Sequence, residues 1–245
     1  MLLILDALNQ LEDRDGAQDL AWLPQEIPPG VTLIVSSLPG RPLDELRRRG
    51  WPTMHIEPLE TGERLELIRA YLAQYSRQLS DQRAERIAAA GQSANPLYLR
   101  ALLDELRVFG VHEKLDARID HYLSAKSPDK LYKKILERYE EDYERERPGL
   151  VRDAMSMLWA ARRGLSETEM LELLGASGRP LPRAYWSPYL ASEQSLVSRS
   201  GLMTFSHDFL RQAVRNKYLR TKRQQENIHL KLADYFEART LGRRR

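Results

Sequence analysis

The stretch Leu2-Leu3-Ile4-Leu5-Asp6 decides how the first part of this chain folds. Four consecutive apolar residues of strand length are typical of a parallel β-strand that is buried on both faces. A similar apolar run, Val31-Thr32-Leu33-Ile34-Val35, follows after a connection that contains Pro24 and Pro28-Pro29-Gly30. Strands separated by helical crossovers predict an α/β sheet, and we expect a third short strand through residues 54–56.

This predicted sheet is thin. The connection between its first two strands carries Leu20, Trp22 and Leu23, which we assign to a helix or loop. A strand as apolar as residues 2–5 needs neighbours on both sides. We therefore expect a preceding piece of this domain to be absent, and we assign residues 1–57 to its C-terminal half.

Helical spacing of apolar residues replaces the strand pattern from Pro58 onward. Residues 65–75 predict one amphipathic helix, and a second contains Ile87. A third begins at Asn95-Pro96, with Asn as the N-cap and Pro at the first helical position, and ends at Gly110. Residues 58–125 are therefore predicted to form a helical domain.

The last part of the chain mixes helices with a hairpin. Ser127-Pro128 starts a helix, and Ser166-Glu167-Thr168-Glu169 is a capping box flanked by Leu165 and Met170 as a hydrophobic staple. Two short strands over residues 196–205 precede a final pair of helices. Helices followed by a β-wing and another helix predict a winged-helix domain over residues 126–245, so the whole fold class is α/β plus mostly α.

Composition excludes several classes of site. The 245 residues contain no cysteine, so disulfides, thiol catalysis and thiolate-bound zinc are absent. The five histidines lack metal-ligand spacing. No apolar run reaches the ~20 residues that a membrane helix requires, and no signal peptide is evident. We expect a cytoplasmic protein without membrane contact.

The basic residues are clustered, although the net charge is only +3. Arg47–Arg49 and Arg243–Arg245 are two such clusters. A nucleic-acid surface would use such clusters, but solvated helix faces and a chain end explain them as well. Nucleic acid is therefore not the partner that we favour.

The segment Asp6-Ala7-Leu8-Asn9-Gln10 places an acid just beyond the first strand. Ligands of α/β sheets bind at that end, and an Asp there can hold Mg²⁺ beside nucleotide phosphates, or it can simply form a turn. The segment resembles the Walker B motif of NACHT ATPases, with Asn9 and Gln10 at two positions that are acidic in that family. An amide can orient a water but cannot act as a general base, so we expect slow or absent hydrolysis.

Two further segments resemble motifs of the same family. Ser36-Ser37-Leu38-Pro39-Gly40-Arg41 resembles its sensor strand, which implies Ser37 near the γ-phosphate and Arg41 as a displaced sensor arginine; a plain turn is the alternative. Ala94-Asn95-Pro96 resembles the Gly-x-Pro motif, whose proline packs against adenine. Read alone, it is only a helix start.

The segment Phe205-Ser206-His207-Asp208 resembles the Met-His-Asp motif of related winged helices. The resemblance implies that His207 reaches the β-phosphate of ADP and keeps the protein closed. A neutral or protonated imidazole can serve as such a donor, and Asp208 could cap the following helix. A solvated histidine after a strand is the alternative.

Taken in order, these segments resemble the rear part of a STAND-type NTPase of the NACHT family, of the repeat-containing nephrocystin-like and telomerase-associated kind. No G-x-x-x-x-G-K-[ST] sequence occurs, so we expect the chain alone not to bind ATP tightly. The resemblance implies an ATP/ADP switch with Mg²⁺, self-association through the NACHT module, and protein partners on flanking domains.

Two other functions stay open. The first is a DNA-binding winged-helix regulator, whose recognition helix would be residues 167–174. That helix carries Glu167, Glu169 and Glu172, which would repel phosphates. The second is a non-catalytic scaffold that binds a partner through an exposed sheet edge.

Overall fold

The computed structural model describes residues 1–176, 178–190, 196–199 and 201–242. The chain divides into two compact units, Met1–Glu57 and Pro58–Arg245. Each unit has its own hydrophobic core. We describe the two units separately.

The first unit is built on two parallel strands, β1 (Leu2–Leu5) and β2 (Thr32–Val35). Their register pairs Leu2 with Thr32 and Leu5 with Val35. Helix α1 (Arg41–Arg48) follows β2. One face of the sheet packs on a small core whose buried residues are Leu8, Leu20, Leu23 and Leu46.

Two sequence predictions for this unit are wrong. Residues 54–56 form no strand, and the side chains of Met54 and Ile56 are 81% and 76% exposed. The reason is that β propensity orders a segment only where a neighbouring strand and a packed face receive it. The connection between the strands, which was predicted as a helix or a loop, holds two short 3-10 turns, Leu8–Gln10 and Ala17–Asp19.

The second wrong expectation is burial of both sheet faces. Leu2, Ile4 and Ile34 share one face, and they are 59%, 62% and 52% exposed. In the described part of this unit no element is layered on that face. The apolar run thus predicts the strand correctly, whereas its burial depends on a second layer.

The second unit begins with five helices. They are α2 (Thr61–Ala73), α3 (Asp81–Ala89), α4 (Pro96–Val108), α5 (Leu115–Leu123) and α6 (Pro128–Tyr143). The predicted start of α4 is confirmed, because the Asn95 side chain accepts the N–H groups of Leu97 and Tyr98 at 2.9 and 3.1 Å. This helix ends at Val108, two residues before Gly110.

A mixed region completes the second unit. It contains α7 (Leu150–Ala160), α8 (Glu167–Leu174), α9 (Arg183–Leu190), β3 (Leu196–Arg199), β4 (Leu202–Phe205), α10 (Asp208–Tyr218) and α11 (Lys222–Gly242). The predicted capping box is confirmed: Ser166 Oγ accepts the Glu169 N–H at 3.3 Å, and Glu169 accepts the Ser166 N–H at 2.9 Å. The predicted antiparallel hairpin is also present as β3 and β4.

The segment before α8 extends this hairpin. The N–H of Met203 donates to the Leu165 carbonyl at 2.8 Å, and the N–H of Leu165 donates back to Met203 at 3.1 Å. Gly164 precedes this bridge with φ of 88°, and a Cβ there would lie 2.4 Å from the Met203 carbonyl oxygen. Only glycine permits this close approach.

One continuous core joins the helices of the second unit. Buried residues from α4, α6, α7 and α10, such as Leu102, Leu136, Leu158 and Val214, belong to the same cluster. The predicted division between residues 58–125 and 126–245 therefore stays a prediction. The molecule is mostly helical with a small parallel sheet, in agreement with the coarse fold class, while the nucleotide-core and winged-helix assignments also stay predictions.

Candidate functional site

Polar residues meet at the carboxyl ends of β1 and β2. Asp6 follows β1 and Ser36 follows β2, so the parallel register brings them side by side. The Ser36 hydroxyl donates a hydrogen bond to Asp6 Oδ1 and accepts the Ala7 N–H at 2.8 Å. The Asp6 carboxylate is thus fixed at the sheet end while its side chain remains exposed.

Ser36, and not Ser37, contacts the Asp6 carboxylate. The place of Ser37 near a γ-phosphate stays a prediction. The Ser37 hydroxyl donates to the Leu38 carbonyl at 3.0 Å, inside its own loop. Ser36 was missed by sequence reasoning. The signal was present: aligning the two apolar runs as parallel neighbours places Ser36 opposite Asp6.

Ala7 adopts a left-handed conformation with φ of 58°. This conformation costs a non-glycine residue about 1–2 kcal/mol, and such costs concentrate at functional turns. The turn ends β1 and lets the Leu8 N–H donate to the Ser36 carbonyl at 2.9 Å. It thereby ties the loop after β1 to the end of β2.

Asn9 and Gln10 lie in the 3-10 turn that follows. Asn9 Oδ1 accepts the Leu38 N–H at 3.1 Å, so this half-buried side chain braces the loop after β2. Gln10 is exposed, and its amide forms no hydrogen bond within the described part of the chain. Neither amide can take a proton near neutral pH.

Arg41 is held by two carboxylates. Its guanidinium nitrogens lie 2.8 Å from both Asp13 and Asp19, in the connection between the strands. The hydrogen bond to Asp19, followed by the charge of Asp13, raises the pKa of Arg41. A phosphate that binds this arginine would have to compete with both acids.

The residues at the sheet end fit a magnesium ion. Mg²⁺ prefers oxygen ligands and is often held by one or two carboxylates together with substrate phosphates and water. Asp6 offers an exposed carboxylate, of which only Oδ1 receives the Ser36 hydrogen bond. No cluster of three or more His, Asp or Glu side chains forms a complete metal cage within the described residues.

His207 and Pro96 belong to the second unit. His207 is the N-cap of α10 and has an exposed side chain, and Pro96 is the exposed first residue of α4. Partial burial and the positive charge of Arg100 lower the pKa of His207, while Asp208 acts in the opposite direction. The imidazole is therefore neutral at pH 7, with one N–H to donate.

Arg100 is a second residue that the sequence did not reveal. It lies four residues after Pro96, which places both side chains on one face of α4. Its positive charge acts on the His207 imidazole, so the two side chains are near enough to interact electrostatically. The spacing of four residues from Pro96 was the available signal for Arg100 in the sequence. This spacing does not reveal that Arg100 lies near His207.

A hydrogen-bonded pair of polar side chains connects α4 to α2. The Tyr71 hydroxyl donates a hydrogen bond to Asp104 Oδ1. Burial raises the pKa of Asp104, and the Tyr71 hydrogen bond and the charge of Arg100 partly offset this rise. Asp104 is one turn from Arg100, so this contact links α2 to the segment that carries Arg100.

The expected cap by Asp208 is wrong. His207 takes the N-cap position, and its side chain forms no capping hydrogen bond. Asp208 is the first helical residue, where its charge favours the positive end of the helix dipole. The sequence leaves the start of α10 open by one residue, so either His207 or Asp208 could be the N-cap. The turn before the helix decides between them.

The acidic side chains of α8 form ion pairs within the second unit. Arg239 on α11 lies 3.9 Å from Glu169 and 3.3 Å from Glu172, and Glu167 pairs with Arg183 at 3.4 Å. The helix that a DNA-binding function would require is therefore acidic and tied to its neighbours.

In total, the structure places Asp6 and Asn9 at the sheet end of the first unit, with Ser36 beside the acid, and it pairs Arg41 with two acids in the connection between the strands. It places Pro96 and His207 in the second unit, with Arg100 beside the histidine. None of the helices in the described part of the chain has the length and apolar character that a bilayer crossing requires.

Comparison with known proteins gives distant similarities to NACHT proteins. The chain is 26% identical to human NACHT domain- and WD repeat-containing protein 1 and 23% identical to human nephrocystin-3, in each case over 96% of its length. It is 37% identical, over 97% of its length, to a TPR repeat-containing protein of Dictyostelium discoideum. The resemblance to NACHT proteins is thus supported in part, since other relatives are named for TPR repeats.

The chain spans only a small part of these relatives: 14% of the Dictyostelium protein, 16% of the NACHT and WD repeat protein and 18% of nephrocystin-3. No family model matches the chain. No solved structure matches it either.

Proposed function

We propose that this chain is part of the nucleotide-controlled module of a NACHT-type signalling protein, in which ATP and ADP regulate self-association. The observation that carries the proposal is the pairing of Asp6 with Ser36 at the carboxyl ends of two parallel strands. Sheet ends of this kind are where α/β folds bind nucleotides. We place the protein in the cytoplasm.

The first unit supplies oxygen ligands in this proposal. Asp6 would hold Mg²⁺, which neutralises phosphate charge when bound. Ser36 keeps the carboxylate in place, and Asn9 braces the neighbouring loop. Because Asn9 and Gln10 cannot act as bases, the module is suited to slow switching instead of rapid turnover.

The second unit supplies hydrogen-bond donors. A neutral imidazole at His207 donates one N–H, and Arg100 adds a permanent positive charge nearby. ADP bound against these groups would favour a closed state, and exchange for ATP would favour an open one that associates. A ligand can shift such an equilibrium only through different contacts in the two states.

The phosphate-binding loop has to come from another part of the polypeptide, since the 245 residues contain no such sequence. The isolated chain should therefore show no shift in melting temperature with ADP. A shift of several degrees would contradict this part of the proposal. The decisive measurements require a longer polypeptide that contains this chain together with a phosphate-binding loop.

Two matched variants in that longer protein test the metal site. Ser36→Ala removes the hydrogen bond to Asp6, whereas Ser37→Ala removes only a bond within the loop. We expect Ser36→Ala to weaken magnesium-dependent binding of fluorescent ADP on the order of tenfold, the size of a hydrogen bond to a charged group, and Ser37→Ala to have little effect. Equal effects of the two variants would remove Ser36 from the site.

The proposed contact between His207 and ADP is tested by His207→Ala. We expect weaker ADP binding and more oligomer by light scattering, with Arg100→Gln acting in the same direction. His55→Ala, which alters an exposed histidine of the first unit, serves as the control. If ADP affinity and oligomer size are unchanged in His207→Ala, the closed state does not depend on this residue.

A scaffold without nucleotide control is the second candidate. It is favoured by the apolar sheet face of Leu2, Ile4 and Ile34, which is more than half exposed at each residue. A second copy of the chain is the partner that we would test, because self-association is what the NACHT resemblance implies. Light scattering of the isolated chain should then show a defined oligomer that Ile4→Lys dissolves; a monomer would exclude this role.

A further inference from the structure

A cavity of about 490 Å³ lies in the second unit, outside the site described above. It is bounded by the loop after α4 and by α5 and α6, at the carboxyl end of α4, whereas Pro96 and Arg100 lie toward the amino end. The volume is within the range of roughly 300–1,000 Å³ that small-molecule sites occupy.

The walls of this cavity are strongly basic. Lys114, Arg118, Lys134 and Arg138 line it, against the single carboxylate of Glu141. Arg138 is already neutralised, since it lies 2.9 Å or less from both oxygens of Glu105.

The other three cations of the cavity differ from Arg138. Within the part of the chain that the structure describes, Lys114, Arg118 and Lys134 form no ion pair with an acid. A concave surface lined by one sign of charge concentrates ions of the opposite sign.

An apolar side completes the cavity. Phe109 is half-buried and Val111 is 44% exposed. The guanidinium of Arg118 lies over the Phe109 ring, 4.7 Å from its centre. The same guanidinium lies 5.7 Å from the centre of the Tyr122 ring, so two aromatic side chains hold this cation in place.

The pKa of His121 reflects the charges around the cavity. Burial, together with the charges of Lys134 and Arg118, lowers the pKa of His121, while Glu137 and Glu141 act in the opposite direction. The imidazole therefore lies among cations whose charge the two nearby acids only partly offset. A bound anion would relieve this repulsion and raise its pKa.

We propose that this cavity binds a small organic phosphate, with its phosphate group on Lys114, Lys134 and Arg118 and a flat apolar body on Phe109 and Val111. Lysine ammonium groups and arginine guanidinium groups are the side chains that bind phosphate in proteins. The cavity is an open concavity whose volume suits a small molecule. Such a ligand would regulate the second unit independently of ATP and ADP.

The probe is 4-methylumbelliferyl phosphate, added to the full chain and followed by fluorescence anisotropy. Two control compounds test the two parts of the ligand separately. The first, 4-methylumbelliferone, has the flat body without the phosphate charge, and the second, inorganic phosphate, has the charge alone. We expect the aryl phosphate to bind more tightly than either. Equal binding of the neutral compound would overturn the proposal, because the cations would then contribute nothing.

Matched variants locate the site. Lys134→Gln should weaken binding on the order of tenfold, which corresponds to about 1.4 kcal/mol. Lys133→Gln alters the exposed neighbouring lysine outside the cavity and should leave the affinity unchanged. Glu141→Gln removes the one acid of the cavity and should strengthen binding. Poor folding could only weaken binding, so this variant distinguishes a folding defect from the loss of a ligand contact.

Two outcomes would overturn the assignment. One is equal weakening by Lys133→Gln and Lys134→Gln, which would indicate general surface attraction. The other is sedimentation of the chain with phosphatidic acid vesicles without binding of the soluble probe, which would assign these cations to a lipid surface. A rise in the pKa of His121 on addition of the probe, measured by NMR, would support the proposed location.

Discussion

The two units of this chain differ in how much of their apolar sequence they bury. The second unit places residues from α4, α6, α7 and α10 in one continuous core. The first unit has four fully buried apolar residues and leaves one face of its sheet exposed. Small units bury a smaller fraction of their surface and are only marginally stable. The difference indicates that the first unit provides the sheet end with its acid, while the second provides the stable framework.

The largest expected effect concerns the buried ion pair of the second unit. Glu105 and Arg138 are nearly enclosed, and the Tyr122 hydroxyl donates to Glu105 at 2.6 Å. Burial opposes the charge on Arg138, but the hydrogen bond and charge of Glu105 outweigh it and raise the pKa of Arg138. Glu105→Gln removes the buried partner of this cation and leaves it only the half-exposed Asp142, so we expect a loss of about 3–5 kcal/mol in the free energy of unfolding.

Chemical denaturation measures this loss. Asp116→Asn is the matched control, because Asp116 pairs with Arg83 and Arg86 while remaining half exposed. Such a surface pair contributes at most about 1 kcal/mol. Losses of equal size in the two variants would show that burial does not distinguish the pairs.

Truncation of one core residue in each unit compares the units directly. Leu102 and Leu20 are both fully buried. We expect each Leu→Ala change to cost about 2–5 kcal/mol locally. In the second unit that loss should lower the melting temperature without unfolding the unit, whereas Leu20→Ala should unfold the first unit at room temperature.

Limited proteolysis separates the two outcomes. Rapid cleavage within residues 1–57 of Leu20→Ala, with residues 58–245 still protected, is the expected pattern. If the first unit of this variant is as resistant as that of the unaltered chain, then its small core is not the limit to its stability.

A smaller effect concerns the titration of His207. Because the folded pKa lies below the ordinary value of 6.5, the folded state resists protonation. Stability linked to this residue is therefore complete above pH 6.5 and decreases as the pH falls through the folded pKa. NMR titration should give a midpoint below 6.5, and Arg100→Gln should raise it. A midpoint that Arg100→Gln does not change would show that the two side chains are not coupled.

The smallest expected effect is at the turn of the first unit. Ala7→Gly relieves the left-handed strain, although glycine also gains entropy in the unfolded chain. The net gain in stability should be about 0.5 kcal/mol. Ala7→Val should instead destabilise the first unit, because β-branched residues resist this conformation. Urea denaturation followed by Trp22 and Trp51 fluorescence measures both changes.

Helix starts were the part of the fold that could be predicted most closely. Asn95 and Ser166 bond to backbone groups two or three residues away, so a local pattern contains both partners. The same holds for the hairpin β3–β4, whose two strands are close together in the sequence. Helices α5 and α9 were not predicted, since their existence depends on packing against distant elements.

The candidate site was predicted less well, because its contacts are long-range. The sequence identified Asp6 and His207 as residues of interest, but Ser36 contacts Asp6 from 30 positions away and Asp19 holds Arg41 from 22 positions away. Arg100 comes close to His207 only through the packing of α4 near the start of α10.

By itself, the sequence determined the two apolar strands, the acid that follows the first of them, and the capped helices, because each depends on neighbours within a few residues. Only the tertiary structure decided which serine contacts that acid, which carboxylates hold Arg41, which sheet face stays uncovered, and which cations line the cavity. These features depend on the register of the strands and on how the helices pack, and no local pattern of residues encodes either.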